Sequence, residues 1–173
     1  MSRPTSRRSR RSPSHRRAMS RRSEVSAGLL LYRRSGALEV FLAHPGGPFW
    51  AKRDLGAWTI PKGLVEANAD LLATARREFA EETGFSPDGP YLPLAPVTQK
   101  SGKVVHAFAC AGDVDPARLR SNAFEVEWPP KSGKRRSFPE VDRAAWFDLA
   151  TARAKIIPYQ RPFLDELEGK LGL

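Results

Sequence analysis

Residues 63–85 form the stretch GLVEANADLLATARREFAEETGF. Its composition predicts a glycine turn, a short loop, a helix and a stop. Asn68 and Asp70 are both good N-cap residues, and Gly84 is a typical residue for the position that follows a helix. We therefore expect one helix that begins near residue 68 or 70 and ends at Gly84.

The predicted helix has an apolar stripe and an acidic face. The stripe consists of three residues at helical spacing: Leu72, Ala75 and Phe79. Spacings of three and four also place three carboxylates together on the last turn: Glu78, Glu81 and Glu82. Acidic side chains are unfavourable at this end of a helix, because the helix dipole is negative there. The pattern therefore favours a role for these carboxylates other than helix stability.

A hard divalent cation would resolve this electrostatic conflict. Mg²⁺ prefers oxygen ligands, and it usually keeps waters and substrate phosphates in its shell. The alternative interpretation is a solvated acidic face that binds nothing and that Arg76 and Arg77 help to neutralise. The three glutamates alone do not decide between the two interpretations.

The whole stretch resembles the Nudix box. That motif consists of Gly, five residues, Glu, seven residues, Arg-Glu, an apolar residue, any residue, Glu-Glu, any residue, Gly and an apolar residue. Eight of its nine defined positions are matched here, by Gly63, Arg77, Glu78, Phe79, Glu81, Glu82, Gly84 and Phe85. The preceding residues 58–62, WTIPK, look like the strand and turn that usually enter this box.

The resemblance implies a Mg²⁺-dependent enzyme, with Mn²⁺ as the alternative ion. It implies that the metal is bound by the carbonyl of Gly63 and by the three helix glutamates, which are Glu78, Glu81 and Glu82. It also implies that Glu81 or Glu82 orients or deprotonates the attacking water. Arg77 would hold the loop and helix in shape.

The family usually supplies one more glutamate from beyond the box, as a further metal ligand or as the base. Residues 124–128, FEVEW, alternate strictly and predict a strand with Glu125 and Glu127 on one face. These two glutamates are our candidates, and Glu140 is the third. A solvated sheet face is the alternative interpretation for Glu125 and Glu127.

One position departs from the motif, because Ala69 stands where the box has its isolated glutamate. In the family that glutamate commonly pairs with the arginine that corresponds to Arg77. We therefore expect weaker metal affinity or a lower rate, and we hypothesise that Glu66 or Asp70 pairs with Arg77 instead.

Positive charge is concentrated at the N-terminus. Residues 1–23 contain nine arginines and no acidic residue, whereas the rest of the chain holds 20 basic and 19 acidic residues. The Arg/Ser-rich composition predicts a disordered tail that could contact polyanions through salt-sensitive interactions. The alternatives are a tail without a special role, or a true start of translation at Met19.

The composition also bears on the compartment. A single cysteine, Cys110, excludes a disulfide within the chain and suits a reducing, cytoplasmic compartment. Its apolar neighbours predict a buried and inert thiol. No apolar run is long enough to predict a membrane span.

The remaining sequence predicts an α/β domain over residues 24–173. Two hairpins are expected, from residues 25–32 with 38–43 and from residues 94–99 with 104–111. Residues 149–157 and 162–171 predict two further helices. The topology follows from the resemblance, which implies the Nudix α/β/α sandwich with a central mixed β-sheet.

Two segments outside the box are candidates for substrate contacts. Phe49 and Trp50 could stack on a nucleobase, although packing or a surface role is the preferred interpretation for both. The basic residues within 129–136 could hold a polyphosphate, and a flexible solvated loop is the equal alternative. The resemblance implies hydrolysis of a pyrophosphate bond in a nucleoside diphosphate derivative, with a dinucleoside polyphosphate or NTP expected first. The alternative is a catalytically impaired Nudix domain that binds a nucleotide or RNA.

Overall fold

The computed structural model describes residues 24–173, so the predicted Arg/Ser-rich tail, residues 1–23, lies outside the described residues. The described part contains strands, helices and two short 3₁₀ helices in the order β1 (Val25–Ser35), β2 (Ala37–Pro45), β3 (Lys62–Leu64), α1 (Leu71–Thr83), β4 (Leu92–Thr98), β5 (Val104–Ala111), 3₁₀ (Pro116–Arg118), β6 (Ala123–Glu127), β7 (Arg135–Pro139), β8 (Val141–Asp148), α2 (Leu149–Lys155), 3₁₀ (Pro158–Gln160) and α3 (Arg161–Lys170).

Six strands form one mixed sheet. The order is β4-β5-β1-β2-β8, and β3 pairs with the N-terminal part of β1. β1 runs parallel to β5 and antiparallel to β2 and β3. β1 is buried along most of its length, which explains the continuous apolar run of residues 27–31. Both predicted hairpins are confirmed, since β1 pairs with β2 and β4 pairs with β5.

Helices cover both faces of this sheet. On one face α1 packs through Ala75 and Phe79 against Leu29 and Phe41. On the other face α2 and α3 pack against alternate residues of the same strands, including Leu30. Successive strand residues point to opposite faces, so β1 contributes to both cores. The molecule is therefore the predicted α/β/α sandwich with a central mixed sheet.

The central helix α1 has the predicted ends. Asp70 is the N-cap, and its carboxylate accepts a hydrogen bond from the Ala73 N–H at 2.8 Å. Gly84 ends the helix in the left-handed conformation, with φ of +81°, and its N–H donates to the Ala80 carbonyl. The apolar stripe faces the core, where Phe79 is fully buried.

Strands β6 and β7 form a hairpin outside the main sheet, which we call the β6–β7 hairpin. Residues 129–136, whose composition predicts a basic loop, are only partly a loop, because Arg135 and Arg136 belong to β7. The predicted strand around Trp58 and Ile60 is also not a full strand, since Thr59 forms only an isolated bridge with Ala43. Between residues 24 and 173 no helix is long and apolar enough to cross a membrane.

Candidate active site

The strand β3 and the last turns of α1 approach each other at Gly63. A Cβ atom on Gly63 would lie 2.0 Å from the Cδ of Glu78, which is far inside van der Waals contact. Only a glycine therefore allows the Glu78 carboxyl group to lie against the strand. The side chain of Glu78 is 14% exposed, and burial followed by the nearby charge of Glu81 raises its pKa.

Glu82 is held by the same strand. Its Oε2 accepts a hydrogen bond from the backbone N–H of Lys62 at 3.1 Å. Burial raises the pKa of Glu82 to about 8, because desolvation outweighs the opposing effects of the Lys62 N–H and the Lys62 ammonium group. The other carboxylate oxygen remains available to a water or a ligand.

Glu140 joins the three helix glutamates from a distant part of the sequence. It lies between β7 and β8, and burial followed by the charge of Glu81 raises its pKa. Its own charge contributes to the raised pKa values of Glu78 and Glu82. The four carboxyl groups therefore act on one another electrostatically.

Backbone hydrogen bonds through Asn122 fix the position of Glu140. The Asn122 N–H donates to the Glu81 carbonyl at 2.9 Å, and the Asn122 carbonyl accepts from the Glu140 N–H at 2.8 Å. The Glu140 carbonyl in turn accepts from the Gly46 N–H at 2.8 Å. The last turn of α1, the base of the β6–β7 hairpin and the loop after β2 are thus joined at Glu140.

The structure does not bring Glu125 and Glu127 to this cluster. Both lie on β6, where Glu127 accepts a hydrogen bond from the Gly133 N–H within the hairpin. Glu125 lies 4.0 Å from Arg135 and is 66% exposed. Strict alternation correctly predicted the strand, but the strand belongs to the separate hairpin. Glu140, the third candidate, is the glutamate beyond the box that lies beside the helix carboxylates.

Arg77 contacts the glutamates themselves. Its guanidinium group lies 3.4 Å from Glu78 and 3.4 Å from Glu81. The hypothesis that Glu66 or Asp70 replaces the missing partner is wrong. The Asp70 carboxylate caps α1 instead, and Glu66 forms no ion pair among residues 24–173.

A cavity of about 280 Å³ opens beside the carboxylates. Glu82, Glu140 and Lys62 line it, together with two aromatic residues, Trp50 and Tyr159. Of the two aromatic residues that the sequence suggested for stacking, Trp50 lines this cavity. Phe49 is 63% exposed and packs instead edge-on against Trp128.

Sequence reasoning did not identify Tyr159 as a site residue. Its hydroxyl accepts a hydrogen bond from Gln160 Nε2 at 3.2 Å, and Gln160 Oε1 accepts from the Ile60 N–H at 3.0 Å. Gln160 is fully buried. A lone glutamine in the C-terminal segment was the available signal, but the Ile60 N–H that it binds is 100 residues away in sequence.

The loop that carries Trp50 is tied to β8 by His44. This residue is fully buried, with Nδ1 2.8 Å from an Asp142 carboxylate oxygen and Nε2 2.6 Å from the Arg53 carbonyl. These contacts hold the loop that carries Trp50 against β8, so His44 has a structural role.

The donor set is suited to a hard divalent cation. Burial and neighbouring negative charge raise the pKa values of Glu78, Glu82 and Glu140, so a cation beside these carboxylates would offset both effects. Within the described part of the chain, however, no three such side chains converge into a ready-made metal site. Arg77 and the Lys62 N–H contact some of the carboxylate oxygens, so a metal ion bound there would require side-chain movement.

Sequence comparison gives one clear match. The family model for the NUDIX domain matches residues 22–167 of the chain. Among curated proteins none matches the chain significantly.

Several solved structures are similar in fold at low sequence identity. A C. elegans Ap4A hydrolase, solved as a binary complex, has a TM-score of 0.60 and 21% identity over 84% of this chain and 97% of its own. The NUDIX domain of Shewanella oneidensis NrtR, solved with ADP ribose, has a TM-score of 0.60 and 16% identity over 86% and 88%. A MutT structure, from work on Aliivibrio salmonicida and Vibrio cholerae, has a TM-score of 0.52 and 14% identity over 84% and 96%. At these identities the likeness shows the fold.

Proposed function

The chain belongs to the Nudix family of hydrolases, and on that premise we propose that it hydrolyses a pyrophosphate bond in a nucleoside diphosphate derivative. The single observation that carries the proposal is the meeting of Glu140 with the three glutamates of α1 beside a cavity lined by Lys62. A dinucleoside polyphosphate or an NTP is the proposed substrate. One structural neighbour is an Ap4A hydrolase and another was solved with ADP ribose, and both compounds contain a pyrophosphate bond.

Nudix hydrolases generally use divalent metals, and we propose Mg²⁺ here. The proposed ligands are the Gly63 carbonyl and four carboxylates: Glu78, Glu81, Glu82 and Glu140. When bound, the ion would neutralise phosphate charge and lower the pKa of a bound water. Glu140 thereby takes the role for which the sequence had suggested Glu125 or Glu127.

The residues around the cavity are proposed to bind the substrate and to accept a proton. Trp50 and Tyr159 offer aromatic surfaces to a nucleobase, and the Lys62 ammonium group offers a positive charge to a phosphate. In the reaction a water oxygen bonds to phosphorus while the bridging P–O bond breaks, and two phosphate-terminated products result. The free oxygen of Glu82, or the Glu140 carboxylate, accepts the proton of the water.

The test is turnover by purified full-length protein in the presence of Mg²⁺. The substrates are dinucleoside polyphosphates, NTPs and nucleotide sugars, with the products resolved by chromatography. We expect Glu82→Gln and Glu140→Gln each to reduce kcat by about 10²-fold or more, because proton transfer and water positioning contribute this much. Glu127→Gln is the matched control on the hairpin and should keep kcat within about twofold of the wild type.

Two outcomes would contradict this assignment. If Glu127→Gln reduced kcat as much as Glu140→Gln, the assignment of Glu140 rather than a hairpin glutamate to the site would be wrong. If none of the compounds were turned over in the presence of Mg²⁺, the proposed hydrolase activity would be wrong.

A second candidate function is a nucleotide- or RNA-binding Nudix domain with impaired catalysis. The observation that favours it is the contact of Arg77 with Glu78 and Glu81 in a chain that has Ala69 at the box position. Such a module would bind nucleotide or RNA without turnover. Deletion of residues 1–18 would remove most of its salt-sensitive RNA binding if the basic tail assists, whereas an enzyme would keep its turnover.

A further inference from the structure

The β6–β7 hairpin presents two chemically different faces. Strand pairing sets Phe124 opposite Phe138 and Val126 opposite Arg136, so these four side chains share one face. The Arg136 guanidinium lies 5.6 Å from the centre of the Phe138 ring, as expected for neighbours on that face. We call this side the aromatic face of the hairpin.

Trp128 and Lys134 extend the aromatic face beyond the last strand pair. The Trp128 N–H donates to the Lys134 carbonyl at 2.8 Å, which continues the ladder and the alternation of side chains. The opposite face carries three charged residues: Glu125, Glu127 and Arg135. The aromatic face thus holds cations and aromatic rings, and both carboxylates lie on the other side.

The aromatic face packs against the loop that leads into the cavity. The Phe124 ring lies so close to Gly47 that a Cβ there would be 2.9 Å from its Cζ. Phe49 meets the Trp128 ring edge-on, with 5.6 Å between the ring centres, yet Phe49 is 63% exposed. The next residue, Trp50, lines the cavity. Trp50 at the cavity is therefore next in sequence to Phe49, which forms a partly exposed aromatic pair with Trp128.

The cations on this face have no acidic partner nearby. Among residues 24–173, neither Lys134 nor Arg136 forms an ion pair, whereas Arg135 on the other face lies 4.0 Å from Glu125. Arginine and lysine without carboxylate partners are suited to phosphate, which accepts hydrogen bonds from both. The face therefore offers positive charge next to partly exposed ring surface.

We propose that Phe49 and the aromatic face of the hairpin form a subsite for the second nucleotide of a dinucleoside polyphosphate. The distal base stacks on Phe49 and Trp128, and Lys134 and Arg136 hold the phosphate chain that leaves the cavity. A dinucleoside polyphosphate is larger than a drug-sized ligand, whose pockets measure about 300–1,000 Å³, so part of such a substrate would lie outside a cavity of about 280 Å³. The inference rests on the proposed hydrolase function and narrows its substrate to two-ended nucleotides.

The test compares diadenosine tetraphosphate with adenosine tetraphosphate, which has the same number of phosphates but lacks the second adenosine. We expect Phe49→Ala to lower kcat/KM for diadenosine tetraphosphate by at least about fivefold and to leave the value for adenosine tetraphosphate unchanged, because one stacked base is lost. Leu55→Ala is the control for removal of an exposed apolar side chain from the same loop, since Leu55 is 73% exposed.

A second pair of variants tests the cations. The double variant Lys134→Ala, Arg136→Ala should raise KM for diadenosine tetraphosphate and flatten its dependence on salt, whereas Arg135→Ala on the opposite face should do neither. All these side chains are on the surface of the hairpin, so the variants should fold like the wild type.

Each outcome has a distinct meaning. Turnover with the same ratio of the two kcat/KM values in the wild type, Phe49→Ala and Leu55→Ala would overturn the subsite and leave the hydrolase intact. Equal effects of Arg135→Ala and the double variant would overturn the role of the aromatic face. No turnover of either nucleotide by the wild type would overturn the proposed function, and the subsite with it.

Discussion

Ala69 stands where the Nudix box has a glutamate, so the side chain at this position cannot pair with Arg77. Arg77 instead lies 3.4 Å from both Glu78 and Glu81, two of the proposed metal ligands. A metal ion at the proposed site would have to displace the guanidinium group or share these oxygens with it. The residues that orient metal ligands typically change metal affinity by 10- to 100-fold when they are altered.

Restoring the glutamate should therefore strengthen metal binding. We expect Ala69→Glu to lower the Mg²⁺ concentration needed for half-maximal turnover by about tenfold, because a glutamate at this position gives Arg77 another partner. The measurement is a Mg²⁺ titration of initial rates. Ala67→Glu is the matched control, since it adds the same charge to the same exposed loop. An unchanged Mg²⁺ dependence in Ala69→Glu would show that Arg77 does not limit metal binding.

The contact between β3 and α1 sets the position of the Glu78 carboxyl group. Because a Cβ at residue 63 would lie 2.0 Å from Glu78 Cδ, Gly63→Ala must push that carboxyl group away. We expect kcat to fall by about 100-fold, as a misplacement of about 1 Å costs this much in an organised site. The measurement is steady-state kinetics, with thermal unfolding to show that the protein remains folded.

Gly169→Ala is the control for this substitution. A Cβ on Gly169 meets nothing within 4 Å, and the residue lies inside α3. It should leave kcat unchanged and raise stability by up to about 1 kcal/mol, because alanine is the better helix former. Wild-type kcat in Gly63→Ala would mean that Glu78 adopts a different position during turnover.

The elements differ in how far the sequence could predict them. The ends of α1 and the grouping of Glu78, Glu81 and Glu82 depend on neighbours within a few residues, so spacing and capping were sufficient. The position of Glu140 depends on how the chain returns through the β6–β7 hairpin to Asn122. Alternation over residues 124–128 predicts a strand and its two faces, but it does not tell which sheet that strand joins.

For the molecule as a whole, the carboxylate cluster links stability to pH. A carboxyl group whose pKa is higher in the folded than in the unfolded chain stays protonated to a higher pH in the folded chain. The free energy of unfolding therefore falls as the pH rises from the unfolded to the folded pKa. For Glu82 this window runs from 4.5 to about 8, and the raised pKa values of Glu78 and Glu140 act in the same direction. Asp54 and Asp148 have lowered pKa values, so the stability that their ionised forms contribute is lost only at pH below about 4.

We therefore expect the metal-free protein to have a lower Tm at about pH 9 than at about pH 6. Mg²⁺ should raise the Tm more at about pH 9 than at about pH 6, because it binds ionised carboxylates. The measurement is thermal unfolding in EDTA and in Mg²⁺ at both pH values. Glu82→Gln should show a smaller change of Tm with pH. An equal change in wild type and variant would show that the pH dependence arises elsewhere.

The ends of the β6–β7 hairpin meet, and this has a consequence for engineering and for evolution. Ala123 pairs with Pro139, and the residues just outside them are joined by the hydrogen bond from the Glu140 N–H to the Asn122 carbonyl. Residues 123–139 therefore form a hairpin whose two ends lie next to each other, as the ends of a replaceable insertion would. We expect hairpins of other sequences to be tolerated there as long as the hydrogen bond between Asn122 and Glu140 is kept, and such hairpins would change the proposed nucleotide subsite without changing the proposed carboxylate site.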